Sequence, residues 1–224
     1  MPAPSHYFER LCGVPVHYDR PPVADYGSLG VPRRFYATPA TEAALDALFQ
    51  EVFALAPPRF GAPVAILSAG AYVDKPGQHG AGKAFDLDGI LWQHRRFLTS
   101  EQRQDKVLYL GIQACCLRHF GTVLGYNYNV AHQDHLHIDL GRPVAFRESK
   151  SVTYFYQEVL NAFFDKNLII DGEYGSGTND ALRAARTSMG LGSISKVDNY
   201  RAFLAGIAAI AKDTLAVQPE TALV

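Results

Sequence analysis

Two short segments hold most of the residues able to do chemistry. One reads His132-Gln-Asp134-His135-Leu-His137, and the other runs from Gly77 through His79 to Asp86. Side chains of an extended strand alternate between its two faces. If residues 135–140 form a strand, His135, His137 and Asp139 share one face, and Leu136, Ile138 and Leu140 share the other. Over residues 84–88, Asp86 and Asp88 likewise oppose Phe85 and Leu87. Should the two strands pair, an aspartate and two histidines meet on a polar face above an apolar core. His79 joins them from a glycine-bounded loop. Nitrogen and oxygen donors with one coordination position left open make a catalytic zinc set. Zinc there acidifies a water and polarises a carbonyl. A spare histidine beside it serves as a base or steadies an oxyanion. His6, His17, His94 and His119 read as surface or structural residues.

The elements that must position this set follow from periodicity. Residues 1–40 are rich in Pro, Gly and Tyr and read as an irregular lead-in. Ala44, Leu45, Leu48, Val52 and Leu55 recur at helical spacing after a capping Thr38 or Thr41, and Pro57-Pro58 ends that helix. Residues 63–68 read as a buried strand, residues 72–82 as a loop hinged at Gly77, Gly80 and Gly82, and residues 84–88 as a second strand. A helix is expected over residues 105–120, ended by Gly121, and a third strand over 135–140. Beyond Ser149 the pattern turns helical, with helices over 154–164, 178–189 and 197–215. The division this implies is 1–148 for the chemical unit and 149–224 for a small helical one. The fold class is α+β: a small antiparallel sheet with flanking helices, followed by an all-α unit.

Composition narrows the function. In 224 residues, 48% are hydrophobic and 19% charged, the mix of a folded chain. The formal net charge of -1 and the lack of a Lys/Arg run argue against a nucleic-acid partner. No apolar stretch approaches the roughly 20 residues of a membrane span. The N-terminus has no apolar signal region. Cys12, Cys115 and Cys116 allow at most one bridge, with Cys12 pairing to the helix that carries the other two.

The sequence also resembles known families. His-x6-Asp followed by His-x-His is similar to the signature of LAS metallopeptidases, the group of lysostaphin and D-Ala-D-Ala carboxypeptidases. A closer resemblance is to the bacterial extensin-like C-terminal domain. It runs through Phe60-Gly61, Pro63-Val64, Ala69-Gly70-Ala71-Tyr72, the 79–86 segment and residues 120–139. The His-x-Asp-His-x-His run also looks like that of penicillin-insensitive murein endopeptidases. The resemblance implies one Zn2+ per chain held by His79, Asp86 and His137. It implies His135 as the catalytic histidine and His132 as a group that stabilises substrate. Asp134 stands where a dipeptidase branch carries its glutamate base, or else it orients an imidazole. Tyr72 and Lys75 fall in the substrate-contact stretch, where the family often shows Cys-Arg in place of Asp74-Lys75. Lysine holds a carboxylate less specifically than arginine.

Asp171-Gly-Glu-Tyr-Gly-Ser-Gly-Thr178-Asn-Asp-Ala-Leu182 resembles the small helical peptidoglycan-binding domain. The two resemblances together imply a zinc peptidase acting on peptidoglycan stem or cross-link peptides, an endopeptidase before a carboxypeptidase. The alternatives are a non-catalytic wall-binding module and a zinc amidase cutting the glycan-peptide bond. Action in the periplasm or cell wall follows. Delivery would be by a specialised secretion route, by lysis or after removal of a signal, with a secretion-system or immunity protein as a further partner.

Overall fold

A computed structural model describes residues 4–218. The strands are Tyr7–Phe8 (β1), Arg10–Leu11 (β2), Val14–Tyr18 (β3), Val31–Pro32 (β4), Phe35–Tyr36 (β5), Pro63–Gly70 (β6), Ala84–Trp92 (β7), Arg96–Leu98 (β8), Thr122–Leu124 (β9) and Leu136–Asp139 (β10). The helices are Pro39–Leu55 (α1), Lys106–His119 (α2), Lys150–Phe163 (α3), Ser176–Ser188 (α4) and Val197–Val217 (α5). The architecture is mixed α+β. The main sheet runs β2-β3-β6-β7-β10-β9, with β4 on β3 and β8 on β7, and the pair β1-β5 stands apart.

Two expectations need correction. Residues 4–40 are not wholly irregular: they supply five short strands, and β2, β3 and β4 enter the main sheet. Strands of two to five residues interrupted by Pro and Gly carry too little alternation to be read from sequence. The sheet is also not purely antiparallel, because β3 lies parallel to β6, with Val16 opposite Ile66 and Tyr18 opposite Ser68.

The helix α1 forms as its sequence dictates. Thr38 accepts from the Thr41 N–H at 3.2 Å, and Pro39 opens the first turn, where it loses no hydrogen bond. Leu45, Leu48, Phe49, Val52 and Leu55 are buried along one stripe. They pack with the core face of the sheet, Phe85 and Leu87 of β7 and Leu136 and Ile138 of β10. That places Asp86, Asp88 and His137 on the opposite face. Irregular pairing between β6 and β7 at Leu67/Ser68 then shifts the alternation, so that Ile90 and Trp92 are again core residues.

The core does not stop at residue 149. Phe155 and Tyr156 of α3 and Phe203, Leu204 and Ile207 of α5 are fully buried in the same cluster as Leu108 and Ile112 of α2. Helices α2 and α5 meet at Gly111, where an added Cβ would stand 2.8 Å from Leu55 Cδ1 and 2.9 Å from Ala211 Cβ. The turn at 171–172 is built as its sequence suggests. Gly172 takes φ +74°, and buried Gln157 accepts from the Asp171 and Gly172 N–H groups while donating to Asp171 Oδ1. Leu182 is buried with Val159 and Leu160.

The expected cysteine bridge is absent. Cys12 is exposed and its thiol donates to the Asp46 carbonyl, whereas Cys115 and Cys116 are buried in α2. Burial pushes the Cys115 thiol up to about 12. No helix among the described residues is long and apolar enough to cross a membrane.

Candidate metal centre

Strand pairing brings the first two donors together. β7 and β10 run antiparallel with His137 opposite Asp86, flanked by the core pairs Leu136–Leu87 and Ile138–Phe85. Directly opposed Cβ atoms lie about 4.5–5.5 Å apart, within reach of one small ion. The third donor arrives on the loop between β6 and β7. That loop is wound tightly: the Gly82 N–H donates to the His79 carbonyl, the Lys83 N–H to Gln78 and the Ala81 N–H to Gly77. At Gly80 an added Cβ would fall 1.8 Å from the Lys75 carbonyl oxygen, so this position excludes every side chain.

Three donor atoms converge. His79 Nε2 lies 3.1 Å from His137 Nδ1 and 3.2 Å from Asp86 Oδ2, and His137 Nδ1 lies 2.9 Å from Asp86 Oδ1. Ligands at about 2.0–2.1 Å on a tetrahedron stand about 3.3 Å from one another, so these separations suit a small cation. The outer nitrogens supply the stronger argument. His79 Nδ1–H donates to the Ala71 carbonyl, and His137 Nε2–H donates to Asp139 Oδ2 at 3.1 Å. Each hydrogen bond keeps a proton on the outer nitrogen, so that the inner nitrogen is the one that turns to an ion once its own proton has left. Asp139 is itself held, its other oxygen accepting from the Gly141 N–H at 2.7 Å. The chain therefore has a candidate metal site, His79, Asp86 and His137, and the chemistry of its donors fits a divalent ion.

Charge is arranged to match. Burial alone would raise Asp86, but hydrogen bonds from His137 and His79 outweigh it and hold the carboxyl well below the usual range. Burial alone would lower His137, yet its hydrogen bonds to Asp139 and Asp86 lift it to about 9. His132 goes the other way. Burial, together with His135 and His137 nearby, brings it down to about 4.

The remaining histidines of the motif sit beside the donors. His135 Nε2 is 3.7 Å from Asp86 Oδ1, and its Nδ1–H donates to Asp134 Oδ1 at 2.9 Å. The other oxygen of Asp134 takes Arg20, whose guanidinium also makes a two-pronged contact with buried Asp88 at 2.6 and 2.9 Å. Asp134 is held low: burial opposes this, and the Arg20 and His135 hydrogen bonds prevail. Its backbone is pinned as well, since the Tyr26 hydroxyl donates to the Asp134 carbonyl at 2.8 Å. His132 lies in the turn before β10, with its ring 5.1 Å from that of His135 and its Nδ1 2.7 Å from Asn129 Oδ1. Tyr72 is half-buried at the base of the loop that carries His79, and Lys75 is exposed at its tip.

The sequence reading omitted several supports. Asp139 was visible in the β10 alternation but had no role, because its partner nitrogen belongs to a ligand. Arg20, Tyr26 and Asn129 gave no signal: only the packing of the first forty residues against β7 and β10 brings Arg20 and Tyr26 to Asp134. No curated protein and no solved structure matches the chain. Residues 68–148, the stretch that carries His79, Asp86, His132, Asp134, His135 and His137, match the family of the extensin-like protein C-terminus.

Proposed function

We propose that the protein is a zinc-dependent peptidase of bacterial peptidoglycan that hydrolyses a peptide bond in stem or cross-link peptides. The observation that carries this reading is the fourth group. A site made only to hold an ion needs His79, Asp86 and His137. Here a further imidazole, His135, is fixed by Asp134 so that its bare Nε2 lies on the donor side. Bound zinc supplies Lewis acidity to the scissile carbonyl and to the attacking water.

The chain's own groups do the rest. His135 accepts the water's proton at Nε2 and returns it to the leaving amine. Asp134 keeps the Nδ1 proton in place and stabilises the imidazolium that forms. Both oxygens of Asp134 hold a partner, one His135 and one Arg20, which supports an orienting role for Asp134 and the base role for His135. His132 is neutral at physiological pH. With Nδ1–H given to Asn129, its Nε2 accepts a substrate N–H. Lys75, exposed on the His79 loop, attracts a substrate carboxylate, and Tyr72 beside it supports the peptide. The helices α3–α5 carry the contact with the wall in this reading.

The test is digestion of purified sacculi, with the released muropeptides identified by mass spectrometry and the zinc content of the same protein measured. About one zinc per chain and a new peptide terminus are expected. His137→Ala should lose both. Cleavage between sugar and peptide instead would establish the amidase, and zinc without any cleavage would leave a binding module.

A further inference from the structure

A groove lies beside the metal centre on the far side of His137. It has a volume of about 490 Å³, bounded by β9, by the 141–142 turn and by the start of α3. That volume falls within the range of small-ligand pockets, about 300–1,000 Å³. One wall is an edge: β9 closes the sheet order, pairs among the described residues with β10 alone, and lines the groove with Thr122, Val123 and Leu124. An edge of this kind is a template for adding an extended chain.

The charge of the groove is one-sided. Arg142, Arg147 and Lys150 line it, against the single carboxylate of Asp139. Asp139 is already committed to His137 and to the Gly141 N–H. Arg147 gives one N–H to the Pro143 carbonyl at 3.0 Å, while its Nε is buried without a partner among the described residues. The groove also communicates with the site: Tyr128 lines it and stands 5.3 Å, ring to ring, from His132.

We propose that this groove binds an extended, carboxylate-bearing peptide that continues from the metal centre along β9. Its backbone adds to the strand edge, and its carboxylates meet Arg142, Arg147 and Lys150. On the peptidase reading above, that peptide is the wall stem, and the groove selects stems whose carboxylates are free over stems in which they are amidated.

The probe is a synthetic stem tetrapeptide in two forms, with free carboxylates and with amidated ones. Binding is measured by calorimetry on zinc-stripped protein, so that no turnover intrudes. The wild-type chain should prefer the free-carboxylate form by about tenfold, as two or three exposed ion pairs give, and added salt should erode that preference. The double variant R142E/K150E changes two exposed side chains and should abolish it. Should that variant misfold by circular dichroism, R142Q/K150Q takes its place. A wild-type chain with no preference, or a folded variant that keeps it, overturns the proposal. Cleavage by the zinc-loaded chain is scored separately. Preference without cleavage fells the peptidase reading and leaves the groove standing, and cleavage without preference fells the groove alone.

Discussion

Arg20 and Asp134, 114 residues apart in the chain, form an ion pair beside the candidate metal site. Arg20 spans two carboxylates of different burial, Asp88 with none of its side chain exposed and Asp134 at 42%. The buried end anchors the guanidinium, and the exposed end uses that anchor to hold a group that would otherwise swing into solvent.

Arg20, Asp134 and His135 should therefore behave as one unit in kinetics. His135→Ala is expected to lower kcat by about 10²-fold or more with zinc retained. Asp134→Asn and Arg20→Gln should each cost about tenfold in kcat with KM little changed. The double change should cost no more than the worse single one, since both remove the same constraint. Steady-state kinetics on soluble muropeptides reads this out. Asp134→Asn more damaging than His135→Ala would make Asp134 the base.

Zinc uptake should depend steeply on pH. In the metal-free chain the His137 imidazolium persists to about 9, and a cation must displace its Nδ1 proton. Apparent zinc affinity should then fall about tenfold for each pH unit below that value, with proton release on binding. The sign for folding follows from the same shift. A histidine raised from about 6.5 stabilises the metal-free fold fully below that pH and loses its contribution as pH rises through about 9. Calorimetry with and without zinc checks both effects: only the metal-free chain should lose Tm between neutral pH and about 9.

The contact of α2 with α5 should set the stability of the candidate metal site, although it lies on the opposite side of the sheet. Gly111→Val would overpack Leu55 and Ala211, costing about 2–3 kcal/mol, or roughly 4–12 °C in Tm for a chain of this size. Ala211→Gly in the same chain should recover part of the loss. A chain ended at Ser149 would expose the face of α2 that α5 covers and should lose zinc and secondary structure in one transition. Intact zinc binding by that shortened chain would show that the two units fold independently.

How much was legible in the sequence follows from how local each signal is. The face of β10 was readable because alternation is a property of the strand itself, and the meeting of His137 with Asp86 followed once pairing was assumed. Apolar spacing, with Pro and Gly at the ends, brings the expected bounds of α2, α4 and α5 to within two residues of the observed ones. The start of α3 was set four residues too late, at Tyr154 instead of Lys150, because its first turn holds few apolar residues. Nothing local announces that Val14–Tyr18 pairs with β6, and so nothing announced Arg20, which enters the site by that route. The continuity of the core across residue 149 was hidden for the same reason: α5 is amphipathic on any partner, and only the small residue at Gly111 hints which partner it has.

The opposition of His137 and Asp86 across β7 and β10 makes the ion a judge of alignment. Slip one strand by a single residue, and Leu136 or Ile138 would take the place of the imidazole while His137 turned into the core. A misaligned chain would then hold two donors at best. During refolding, an ion held at this site would reward one arrangement and ignore its neighbours, so that its capture would report correct strand pairing.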